Sequence, residues 1–143
     1  GTRDESHFDS WAIGLDMHFP IWEDRLWIQG EAWVGENLDD VRGGIFQGVN
    51  ADGEEIKSIG GWIEVGFKIF PWWNAHLGFA TDDPESRDLP ATGKVSTQIG
   101  YLKFDWAFGP VYFAFEYSYW ETEYKGFGAG RANRVKGYVG YKF

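Results

Sequence analysis

The chain has 143 residues, 13 Lys and Arg against 22 Asp and Glu, a formal charge of −9 and no cysteine. That length suits one domain or part of a larger one, and the absent cysteines exclude a disulfide scaffold and a thiolate metal site. The acidic balance with no basic block excludes nucleic acid as a partner, and no stretch nears the ~18 apolar residues of a transmembrane helix.

Residues 1–10 are polar, carry no signal-peptide core and show no periodicity. From Trp11 onward the apolar residues recur with period two, the spacing of a strand whose successive side chains point to opposite faces. Trp11, Ile13, Leu15, Met17 and Phe19 share one parity, with Asp16 and His18 on the other. Leu26 to Val34 repeats the pattern, with Gln29 and Glu31 on the polar parity, and Ile59 to Ile69 repeats it with Glu64 and Lys68. Ala75, Leu77 and Phe79 oppose His76; Gly100 to Phe108 opposes Lys103 and Asp105; Val111 to Tyr119 opposes Glu116. The last segment sets Val135, Val139, Tyr141 and Phe143 against Arg134, Lys136 and Lys142. Across these seven segments the apolar parity carries no charge, while the polar parity carries five acids and five bases.

The connections alternate in length. Short ones are expected at Pro20–Arg25, Pro71–Asn74 and Gly109–Pro110, and long ones at Glu36–Ser58, Thr81–Lys94 and Glu121–Asn133, with all five prolines in connections. The pattern predicts an all-β, antiparallel up-and-down meander forming one domain over residues 1–143, with no internal boundary and no helix.

Two architectures satisfy such a meander. In a soluble barrel binding an apolar ligand, the apolar parity points inward; in a transmembrane β-barrel it faces lipid and the polar parity faces the lumen. Three features favour the second. The row Phe113, Phe115, Tyr117 and Tyr119 is too uniformly large for a small tapered interior. Aromatic residues Phe19, Trp22, Phe70, Trp72, Trp73, Phe108 and Phe143 gather by the short turns, as at a lipid interface. Short turns at one end and long loops at the other is the asymmetry of outer-membrane barrels. Nearly all the net charge also falls in the long connections and residues 1–10, which hold 15 acids and 7 bases.

The final stretch Gly137-Tyr-Val-Gly-Tyr-Lys-Phe143 resembles the C-terminal strand of Gram-negative outer-membrane β-barrels. That resemblance implies recognition by the barrel-assembly machinery through the terminal aromatic. Gly43–Asn50, Gly60–Lys68, Asp82-Asp83-Pro84 and Glu116–Tyr124 resemble the C-terminal part of a porin-like family, a likeness spanning roughly Trp11 to Phe143. It implies a multi-pass outer-membrane channel for passive diffusion of small polar solutes, with long loops extracellular, lipid around it and a homotrimer as one assembly. Seven strands depart from the even count of bacterial barrels. The chain is therefore expected to be part of a larger barrel, with residues 1–10 in an extracellular loop or at a truncated end. Alternatively, Gly43–Val49 supplies an eighth strand to a small closed barrel that anchors or adheres through its acidic loops.

The expected lumen lining is Asp16, His18, Gln29, Glu31, Glu64, Lys68, His76, Lys103, Asp105, Glu116, Arg134, Lys136 and Lys142. The Glu36–Ser58 loop either enters the pore or stays solvated outside. Its acids, with Asp82 and Asp83, lack the spacing of a calcium loop, and no metal or cofactor is expected. Ser118 shares a parity with Glu116, His18 and His76, but nothing orders them into a nucleophile, base and orienting acid, so no catalytic residue is assigned.

Overall fold

A computed structural model describes residues 8–39, 44–50 and 52–143. Seven strands follow in chain order: β1 (Trp11–Trp22), β2 (Leu26–Glu36), β3 (Lys57–Phe70), β4 (Trp73–Pro84), β5 (Lys94–Phe108), β6 (Val111–Tyr124) and β7 (Gly128–Tyr141). They form one antiparallel meander in which each strand pairs with its sequence neighbours. Among the described residues β1 pairs only with β2, and β7 only with β6, so the sheet is open at both edges.

The burial of the two faces is the reverse of a soluble barrel's. Glu64 is 5% exposed while its neighbours Ile63 and Val65 are 46% and 40% exposed; His76 is 8% exposed beside Leu77 at 64%. Among the described residues the buried large hydrophobics are Leu38, Ile56 and Leu89, all in connections. The sheet thus covers polar groups on one face and displays exposed aliphatic and aromatic side chains on the other. Among the described residues the strands form no apolar interior of the kind the soluble architecture requires.

The strands are 11 to 15 residues long and differ from the periodicity in three places. β4 runs on to Pro84, and β6 and β7 extend through the expected long connection Glu121–Asn133, leaving only Lys125, Gly126 and Phe127 between them. Alternation fades there, but backbone pairing does not depend on it: Glu121 faces Arg131 and Thr122 faces Gly130. Trp73 likewise opens β4 rather than sitting in the turn.

Pro20 and Pro84 lie in strands, not connections. Pro20 is on an edge strand beside a register shift, and Pro84 ends its strand, both places where a missing N–H does little harm. Of the expected eighth strand Gly43–Val49, Gly43 lies outside the described residues and the rest is no strand: Gly44–Phe46 is a short 3-10 turn, and Val49 makes only an isolated bridge to Glu55. Of residues 1–10, residues 1–7 lie outside the described residues; Asp9 donates its backbone N–H to Glu55.

Candidate functional site

The strand register lays the polar face out as rows running across the sheet. One row joins His18, Gln29, Glu64, Gly78, Tyr101, Ser118 and Arg134 through all seven strands. The next, toward the short turns, joins Trp27, Gly66, His76, Lys103, Glu116 and Lys136. Beyond it lie Lys68, Asn74 and Asp105. On the other side come Asp16, Glu31, Trp62, Ala80, Ile99 and Trp120. Every expected lining residue in a strand therefore lies on this one face; Lys142 falls one residue past β7, where its backbone N–H donates to Pro110.

The centre of the face is a bonded network. Glu64 accepts from Gln29 Nε2 at 2.9 Å and from the Tyr101 hydroxyl at 2.9 Å, and lies 2.8 Å from His76 Nδ1. The other ring nitrogen of His76 is 2.6 Å from Asp105, which also accepts from Asn74 Nδ2 at 2.8 Å. The ring thus bridges two carboxylates, and only the doubly protonated imidazolium donates to both. Glu31 accepts from Trp62 Nε1 at 3.2 Å. Glu116 has Lys136 at 3.8 Å and Arg134 at 4.0 Å. Lys68 pairs with Asp24 in the first turn, and its hydrogen bond and charge hold the Asp24 carboxyl below the usual range.

Acids lie on β1, β2, β3, β5 and β6 (Asp16, Glu31, Glu64, Asp105, Glu116) and bases on β3, β5 and β7 (Lys68, Lys103, Arg134, Lys136), so the two signs are interspersed across the face. At the open edges Asp16, His18 and Arg134 remain exposed.

Aromatic rings on this face lie opposite glycines. Trp27 faces Gly66, Trp33 faces Gly60, Tyr101 faces Gly78 and Tyr112 faces Gly140. A Cβ at any of these glycines would collide with the facing ring. The rings therefore lie flat against the wall and do not project into the space in front of it.

Ser118 is 1% exposed and its hydroxyl accepts from Trp120 Nε1 at 2.9 Å; among the described residues neither His18 nor His76 is bonded to it. Among the described residues no group of three His, Asp or Glu is placed to hold a metal. The aromatic residues by the short turns form a contiguous stack. Phe70 lies 5.4 Å from Trp72, Trp72 lies 5.2 Å from Phe108, and Trp73 stacks on Trp106 at 6.2 Å. Phe19 and Trp22 stand exposed on β1, and Phe143 is fully exposed with its ring edge-on to Tyr141.

The tip of the 37–56 connection folds onto the polar face. Asp82 accepts from the Ile45 backbone N–H at 2.9 Å and from the Ser58 hydroxyl at 2.5 Å. The Gln47 side chain pairs with the backbone of Lys94 as a peptide would, with both bonds at 2.9 Å. Ser58, Gln47, Tyr101 and Asn74 were not among the residues expected from sequence, and Asp82 was expected only as a loop acid; strand register places Ser58, Asp82, Tyr101 and Asn74, and the fold of the connection places Gln47.

No protein-family model and no curated protein matches the chain. Among solved structures, the outer membrane channel DcaP of Acinetobacter baumannii superposes with a TM-score of 0.75 at 14% identity over 94% of the chain. The chain spans 41% of that channel's length. At that identity the likeness concerns the fold alone: an antiparallel up-and-down sheet like that of an outer-membrane channel barrel.

Proposed function

We propose that the chain forms one wall of a porin-like outer-membrane channel for passive diffusion of small polar solutes. The observation that carries this is the inverted burial, with charged and hydrogen-bonded groups inside and bare aliphatic and aromatic groups outside. A lipid solvent makes such an outer face favourable, and a wetted lumen does the same for the inner one. The flat aromatic rings support an open lumen, because a plugged barrel needs side chains that project and fill. The fold likeness to a channel supports the same class. The free edges of β1 and β7 are closed by further strands, since unpaired backbone groups are not tolerated in hydrocarbon.

In this arrangement the short turns and their aromatic stack lie at the periplasmic interface, and the longer connections face outward from the cell. The lumen charges Asp16, Glu31, Glu64, Lys68, Lys103, Asp105, Glu116, Arg134 and Lys136 nearly balance, so ion selectivity is weak, with the acidic mouth mildly favouring cations. The exposed C-terminal strand is the segment handed to the barrel-assembly machinery, and the apolar outer face suits either lipid or a homotrimer contact. Planar-bilayer recording of the full-length protein tests the channel: discrete conductance steps are expected, and their absence from correctly folded protein refutes it.

A further inference from the structure

The polar face is not polar throughout. Under the loop tip, Trp33, Ala80, Ile99 and Trp120, with Thr81, Asp82 and Thr97 beside them, line a cavity of about 200 Å³ with Ile45 and Phe46 as its roof. That volume is comparable to the ~150 Å³ apolar cavity that takes up a benzene ring. The roof is built at a cost. Gly44, Ile45 and Phe46 all have left-handed φ of 63°, 52° and 61°, a conformation disfavoured for a bulky residue and most of all for a β-branched one. Within this connection the buried apolar side chains are Leu38 and Ile56, at 2% and 1% exposure. Phe46 remains largely exposed. Asp82 and Gln47 instead hold the strained turn in place over the cavity. On the far side the Arg134 guanidinium lies 4.3 Å over the Trp120 ring, fixing that wall.

We infer that this alcove is a solute subsite for a flat, uncharged six-membered aromatic ring, held against Trp33 and Trp120 beneath Ile45 and Phe46. The inference rests on the polar face being a wetted lumen. A solute with such a ring would pause there, while purely polar solutes would move past it to the charged rows nearer the short turns.

The test uses the full-length protein in detergent micelles with 4-fluorophenol as probe, followed by fluorine NMR, with protein-free micelles correcting for partition. A saturable shift is expected for the wild type. Ala80→Phe, which fills the cavity, should weaken it by at least about tenfold, and Ile99→Asp, which charges the cavity with little change in bulk, should do the same. Folding of each variant is checked by heat-dependent gel migration. An absent wild-type response, or one unchanged in a folded variant, overturns the inference. Conductance without saturable binding defeats the alcove and leaves the channel. Binding without conductance supports the alcove and defeats the channel.

Discussion

Glu64 is the residue on which the inner network depends most, and Glu64→Ala is its most informative perturbation. The carboxylate accepts from Gln29 and Tyr101 and contacts His76 at 2.8 Å. Truncation strands three donors at once. A buried donor left without a partner costs about 1–3 kcal/mol. His76 is 8% exposed and bears that penalty nearly in full. Gln29 and Tyr101 are half-buried, and each regains part of its loss from lumen water. The expected destabilisation is about 3 kcal/mol. Urea unfolding of the full-length protein in lipid vesicles, followed by circular dichroism, should show a lower midpoint with an unchanged slope. Glu64→Gln keeps an acceptor oxygen but turns an NH₂ group toward the donors, so it should fall between the two. If Glu64→Ala unfolds at the wild-type midpoint, the network does not hold the wall and the reasoning fails.

Leu77→Arg places a charge on the outer face at mid-strand, where burial in hydrocarbon costs about 2–4 kcal/mol; the folded fraction in vesicles, measured by gel migration, should drop sharply, whereas a water-facing position would tolerate the change. Gly66→Ala puts a methyl group where the Trp27 ring lies, so overpacking should cost about 1–3 kcal/mol in the same unfolding assay and push the ring into the lumen, lowering unit conductance. Asp82→Ala removes the acceptor of the Ile45 N–H and the Ser58 hydroxyl, so the strained turn should release and limited proteolysis between residues 44 and 50 should accelerate.

The alternation of Ile59 to Ile69 against Glu64 and Lys68 made both the strand and its two faces legible, because side-chain period follows directly from strand geometry. It also separated the outward row Phe113 to Tyr119 from Glu116. The limits of legibility are physical too. Near Glu121 and Arg131 the strands stay paired although neither parity is apolar, so their pairing has no hydropathy signature. The roles of Tyr101, Asn74 and Asp82 depend on register, and that of Gln47 on how its connection folds. Alternation states which face a residue occupies but not which residue it meets across the strand. The aromatic-over-glycine pairs were half visible: Trp27, Trp33 and Tyr101 stood on the polar parity, and only the register showed each to have a glycine opposite.

The central claim is the assignment of the two faces, one to a conducting lumen and the other to lipid. The chain has no cysteine, so single cysteines can be placed without background. Lys103→Cys and Leu102→Cys differ by one residue on β5 and lie on opposite faces. Each full-length variant is reconstituted in a planar bilayer and exposed to a charged, membrane-impermeant thiol reagent while current is recorded. Modification should change the conductance of Lys103→Cys and leave Leu102→Cys silent. A response at position 102 with silence at 103, or no conductance in either folded variant, would contradict the account.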